Sequence, residues 1–209
     1  PESVERLLGH TVGRKLTALA WNRDPRHIET RRRVHSAGAQ SALGRQPAIE
    51  RVFKPTLHHL ADRIGARLRA KSLAGRTITV RVRFADLRSV TRSLTLSEPI
   101  SATRALAEIA EDLVRGVLAD HPAEKTISLL AIAVSHLEAH AIVQLELPLG
   151  LPDEGRRPGT RKGLARSRAD AAIDAIRKRF GGNAVDYGSA SGGGRSVPDE
   201  FRRLAEREL

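Results

Sequence analysis

The chain has 209 residues, long enough for one sizeable core or for a domain of about 100 to 150 residues with appendages, and its 36 basic against 24 acidic side chains give a formal charge of +12. It has no cysteine, which excludes a disulfide framework, a thiolate metal site and a thiol nucleophile. No apolar run reaches the roughly 18 residues a spanning helix needs, and no signal-peptide core opens the chain, so a cytoplasmic address with no membrane contact is expected. Because it opens at Pro1 and not at an initiator methionine, the chain reads as a processed or excised piece of something longer. Of the basic residues 30 are Arg and 6 are Lys. Codon bias accounts for most of that ratio but not for the net charge, and guanidinium groups match phosphate oxygens in a bidentate fork.

Ser3 to Trp21 carries Val4, Leu7, Leu8, Val12, Leu16, Leu19 and Ala20 at helical spacings, with Gly9 and Gly13 expected to weaken or break the helix near its middle. Asn22 to Arg33 has no apolar period and ends in Arg31, Arg32 and Arg33, a basic linker that lies along a polyanion or serves as a solvated tether. A strand over His35 to Leu43 then leads past Gly44 and Pro47 into a helix with the stripe Val52, Leu57, Leu60, Ala61, Ile64 and Leu68. Pro55 sits in its first turn or kinks a longer helix, and Ala74-Gly75 ends the segment.

A hairpin follows, Thr77 to Ala85 and Ser89 to Leu96. Ile78, Val80, Val82 and Phe84 fall on one face of its first strand, while Thr77, Thr79, Arg81 and Arg83 fall on the other. Ser101 is the expected N-cap of a second amphipathic helix carrying Leu106, Ile109, Ala110, Leu113 and Val117 and closed by Asp120 to Pro122. Ile127 to Val134 reads as a buried strand. The order strand, helix, strand, strand, helix, strand implies an α+β fold, one antiparallel sheet of about four strands with two helices on its back. Beyond a polar linker, Ala169, Ala172, Ile173, Ile176 and Phe180 form one helical stripe. Ala184 to Ser189 suggests a short strand, Ser191 to Arg195 a flexible Gly-rich loop, and Pro198 to Glu208 a last charged helix.

His136 and His140, in HLEAH, have the spacing of a helical metal site but follow a strand, and His58 and His59 sit beside an apolar stripe. GSASGGG lacks the ending of a phosphate-binding loop. Glu108, Glu111 and Asp112, near Arg115, read as solvated helix faces. No metal or cofactor is expected on this chain. The nucleic-acid signal is stronger: Arg81 and Arg83 on the open face, Arg88 in the turn, and Arg92 with Thr91, Ser93 and Thr95 supply donors for phosphate oxygens. Only Phe84 is aromatic there and it points with the apolar set, so backbone tracking of a duplex is expected over stacking on single-stranded bases. Gln144 to Leu149, QLELPL, reads either as an edge strand or as an extended docking peptide.

Taken together, RRRVHSAGAQSALGRQ, LADRIGARLRAKSLAGRTITVRVRFADLRSVTRSLTL, ISLLAIAVSHL and QLELPL resemble the C-terminal half of a bacterial Y-family translesion DNA polymerase of the DNA polymerase IV type. The resemblance implies the end of the thumb at 1–21, a basic linker at 22–33, a little-finger domain at 34–143, a sliding-clamp peptide at 144–149 and a linker with a tail at 150–209. It implies duplex primer-template contacts from Arg31, Arg32, Arg33, Ser36, Gly38, Gln40, Arg81, Arg83, Arg88, Ser89, Arg92 and Ser93. It further implies clamp contacts from Gln144, Leu145, Leu147, Pro148 and Leu149. The last strand, with Ser128, Leu129, Ala131 and Ala133, departs from the basic residues frequent in relatives, which puts its share of the DNA footprint in doubt. Palm and finger motifs are absent, so Mg2+-dependent polymerisation would belong to a part outside this sequence. A monomeric module binding DNA and clamp is expected, the alternative being a non-catalytic adaptor.

Overall fold

Period-two alternation builds a sheet here, and period-3.6 stripes lay helices on one side of it. The computed structural model describes residues 2–24, 26, 34–147 and 154–188. Two compact units are present, 1–33 and 34–209. In the first, α1 (Glu2–Leu8) and α2 (His10–Ala20) are separated at Gly9, whose φ of +79° is the left-handed region glycine enters without strain. At Gly13 the helices approach so closely that an added Cβ would lie 2.5 Å from the Cα of Glu5.

The second unit runs β1 (Ser36–Pro47), α3 (Glu50–Ala70), β2 (Leu73–Phe84), β3 (Ser89–Ile100), α4 (Thr103–Asp120), β4 (Thr126–Ala139) and α5 (Arg161–Phe180). The four strands form one sheet in the order β1-β4-β2-β3, and every neighbouring pair is antiparallel. Ile78, Val80, Val82 and Phe84 of β2 and Ile127, Leu130, Ile132 and Val134 of β4 turn inward against α3 and α4. Phe53, Leu57, Leu60, Ile64 and Leu68 of α3 meet Leu106, Ile109, Val114 and Val117 of α4 in the same core. Burying one such side chain is worth roughly 1.5–3 kcal/mol, so this back layer fixes which way each strand faces. The expected α+β architecture is therefore present, one antiparallel four-stranded sheet backed by two helices.

Several elements differ from expectation. Ala74-Gly75 does not end the helix: α3 stops at Ala70, Ser72 turns the chain at φ +52°, and Gly75 lies within β2. Glycine is needed there because an added Cβ would run into the Val134 side chain of the neighbouring strand. Pro55 lies past the first turn of an unbroken α3. Ser101 is not the N-cap of α4; Ala102 holds that position without a side-chain bond. The Thr103 N–H instead donates to Asp170 Oδ2 of α5 at 2.8 Å, a cap supplied from across the fold. Residues 184–188 form no strand, and Ser189, Ser191 to Arg195 and Pro198 to Glu208 lie outside the described residues.

The helix expected beyond the polar linker is present as α5, and it docks by charged groups. Its apolar stripe is mostly left in solvent: Ala169, Ala172, Ile176 and Phe180 are exposed and only Ile173 is part-buried. The helix docks through Gly163, Arg166, Asp170, Asp174 and Arg177, a polar stripe at the same period. Arg69 of α3 binds Asp170 at 3.2 Å and Asp174 at 2.6 Å, Arg177 binds Asp62 at 2.8 Å, and Arg166 binds Glu108 of α4 at 2.8 Å. The Tyr187 hydroxyl donates to Asp170. Burial together with that bond holds the Tyr187 phenol well above its ordinary range. Glu108 and Glu111 thus depart from the solvated-face reading. Glu108 pairs with α5, while Glu111 is buried and lies 3.0 Å from His58 Nε2 and from Arg115.

Candidate nucleic-acid interface

With one side of the sheet committed to the core, the register dictates the other. Cross-strand partners set four outward rows: Ser36, Ser135, Thr77 and Thr95; Gly38, Ala133, Thr79 and Ser93; Gln40, Ala131, Arg81 and Thr91; Ala42, Leu129, Arg83 and Ser89. Two guanidinium groups and a field of hydroxyls stand on this surface, and no position in the four rows carries a carboxylate. The ion pairs that tie α5 to the rest of the sheet domain run to α3 and α4, the helices on the opposite side.

Arg81 is exposed and donates from Nη2 to Gln40 Oε1 at 3.0 Å, crossing over the small Ala131 of β4. Arg83 donates from Nε to Ser128 Oγ at 3.0 Å, and Ser128 in turn donates to the Phe84 carbonyl at 2.8 Å, which holds the Arg83 stem against the sheet. The alanines of β4 leave a shallow trough of about 590 Å³ between β1 and β2, lined by Gly38, Gln40, Thr79, Arg81, Thr91, Ala131 and Ala133. Small side chains on the central strand thus give low relief between the donors that flank it.

The structure corrects one expected position and qualifies another. Arg92 pairs in register with Val80, whose side chain is in the core, so it turns toward the helix side, where it binds Asp120 at the end of α4. Arg88 stays in the turn but is engaged by Glu124, with Asp86 at 3.6 Å. Ser36, Gly38, Gln40, Arg81, Arg83, Ser89 and Ser93 share the open side. Arg31, Arg32 and Arg33 lie outside the described residues. Sequence reading missed Arg63 and Arg67 of α3, which reach around β1: Arg63 lines the trough and Arg67 donates to the Gly38 carbonyl at 2.5 Å. Their i, i+4 spacing was the available signal.

Among the described residues, no group of three or more His, Asp or Glu is arranged to hold a metal ion. His136 instead approaches Thr77 Oγ1 with Nδ1 at 2.8 Å, and the His140 N–H donates to the Ser72 carbonyl. Among the described residues no helix is long and apolar enough to cross a membrane. Gln144 to Leu147 form neither helix nor strand, with Leu145 71% and Leu147 77% exposed; Pro148 and Leu149 lie outside the described residues.

A hairpin-built antiparallel sheet with a donor-rich open side and two helices behind is the architecture of a little-finger domain. Residues 34–147 match the family described as the impB/mucB/samB family C-terminal domain, and the chain belongs to that family. A curated relative named DNA polymerase IV 2, from Mesorhizobium japonicum, is 71% identical over 208 residues, covering 99% of this chain and 50% of its own length. DNA polymerase IV of Alkalilimnicola ehrlichii is 34% identical over 119 residues, covering 57% of this chain and 32% of its own length. The solved structure of a Y-family DNA polymerase chimera, Dbh-Dpo4(243-245)-Dbh, has a TM-score of 0.51 at 19% identity, covering 66% of this chain and 38% of that one, and so shares the fold. The chain thus spans half or less of the length of each of these matched proteins.

Proposed function

We infer that this chain is the duplex-gripping part of a DNA polymerase that bypasses template damage, and that Gln144 to Leu149 tethers it to a sliding clamp. The observation that carries the reading is the outward sheet surface: Arg81 and Arg83 among Ser, Thr and Gln donors, without a carboxylate in any of its four rows. Such a surface supplies charge and hydrogen bonds to phosphates and sugars but no ordered set of groups for reading base edges, so binding is insensitive to sequence. Polymerisation with Mg2+ would reside in the remainder of the parent enzyme, which would work in the cytoplasm.

The mechanism follows from the two contacts. Counterion release holds the primer-template loosely and reversibly, while a clamp tether makes rebinding intramolecular and raises the local concentration of DNA. The test is fluorescence anisotropy with two duplexes of unrelated sequence across a salt series. Equal affinities that fall steeply with salt support the reading; a flat salt response, or a strong preference for one sequence, would refute it. The exposed Leu145 and Leu147 favour one rival, an adaptor working through the clamp alone. Clamp binding in a chain with no duplex affinity would select that rival.

A further inference from the structure

Glu146 is the anchored member of the stretch between two exposed leucines. Its N–H donates to the Gly159 carbonyl at 2.9 Å and its carboxylate meets Arg157 at 2.7 Å. The Gln144 carbonyl lies so near Gly159 that a Cβ added there would run into it. Leu145 and Leu147 flank this anchor and both face solvent. In an extended chain alternate residues share a side, so an extended course here would set both leucines opposite the anchored Glu146.

What holds Arg157 and Gly159 is itself well fastened. Thr160 caps α5 by accepting the Gly163 N–H at 3.0 Å. Arg166, one turn into α5, donates to the Gly155 carbonyl at 2.7 Å and to Glu108 of α4 at 2.8 Å. The 154–160 turn is thus tied to the domain core through α4, and Gln144 to Leu147 lie against a fixed backing.

We propose that residues 154–160 are a built-in platform that presets Gln144 to Leu147 as an extended docking strand for the sliding clamp, with Arg157 and Gly159 as its positioning residues. This rests on the clamp-docking reading and adds a cause of affinity that the peptide sequence alone lacks. The partner surface would offer two apolar pockets about 7 Å apart, the spacing of alternate residues in an extended chain. Binding a strand already ordered avoids part of the entropy lost when a free peptide is fixed.

The test measures affinity for the purified sliding clamp of Mesorhizobium japonicum by biolayer interferometry, comparing the full 209-residue chain, its variants, and a synthetic Ile142 to Leu149 peptide. The full chain should bind about tenfold tighter than the peptide, equivalent to about 1.4 kcal/mol. Arg157→Glu, which sets a carboxylate against Glu146, should reduce the chain to the peptide's affinity, and Gly159→Ala should do so by crowding Gln144. Arg157→Lys, which keeps the charge, should retain most of the advantage. Thermal unfolding and duplex affinity should not change in the Arg157 variants. Equal affinity of chain and peptide, or an Arg157→Glu chain that binds as tightly as the parent, would overturn the platform. Failure of both chain and peptide to bind would instead remove the clamp-docking reading, and the platform with it.

Discussion

Arg81 and Arg92 are both exposed arginines of the same hairpin, yet the register sends them to opposite sides of the sheet. Replacing Arg81 and Arg83 together with Ala should therefore weaken duplex binding, whereas Arg92→Ala should leave it nearly unchanged, because Arg92 binds Asp120 on the helix side. The magnitude follows from counterion release. Each neutralised phosphate contributes about 0.9 to the slope of log affinity against log salt, so two contacts contribute about 1.8. Between 50 and 200 mM salt, a fourfold change, the double variant's disadvantage should shrink by about 12-fold. Anisotropy titrations of the three chains on one labelled duplex read this directly. An unchanged slope in the double variant would refute the interface, as would a loss in Arg92→Ala equal to that in the double variant.

Three further outcomes concern the docking of α5. Asp170→Ala removes a buried carboxylate that serves Arg69, Tyr187 and the Thr103 N–H at once, and should cost about 3 kcal/mol in thermal or urea unfolding, with faster proteolysis of 154–188. Tyr187 is the sole tyrosine, so phenolate absorbance near 295 nm reports on it alone, and it should stay silent at pH values where a free tyrosine, of pKa about 10, ionises. Its folded value is raised, so the stability it contributes is complete below pH about 10 and is lost as pH rises through the folded value; ionisation at the ordinary pH in the folded chain would refute this contact. At the acid end, burial opposes charge on Glu108, but Arg166 and Arg104 outweigh it and lower its value. The contribution of Glu108 is present above the usual carboxylate range and is lost as pH falls through the lowered value, so Glu108→Gln should flatten the acid limb of stability.

The sheet and its two backing helices were legible because their apolar periods are clean: alternation in β2, helical stripes in α3 and α4. The turn of Arg92 was legible too, since Val90, Arg92 and Leu94 alternate against Thr91, Ser93 and Thr95. Grouping Arg92 with its hydroxyl neighbours Thr91, Ser93 and Thr95 passes over that period-two arithmetic. The cap on α4 and the docking of α5 were not legible. The cap joins Thr103 to Asp170 across 67 positions, and the docking needs Asp170, Asp174 and Arg177 to meet Arg69 and Asp62 from more than 100 positions away, as in the pair 115 residues apart between Arg177 and Asp62. The apolar stripes of α3 and α4 advertise their burial, whereas a charged stripe looks the same solvated or paired. The exposure of Ile176 and Phe180 shows the converse, that helical apolar spacing does not guarantee packing.

The shared carboxylate of Asp170 has a consequence for where this domain ends. The family match closes at residue 147, but a chain cut there would leave the Arg69 guanidinium, the first amide of α4 and the Asp62 carboxylate without the partners they have in the intact fold. The contacts that brace α3 and α4 thus run through Tyr187, and residues beyond the recognised boundary act as a keystone for the two helices behind the sheet.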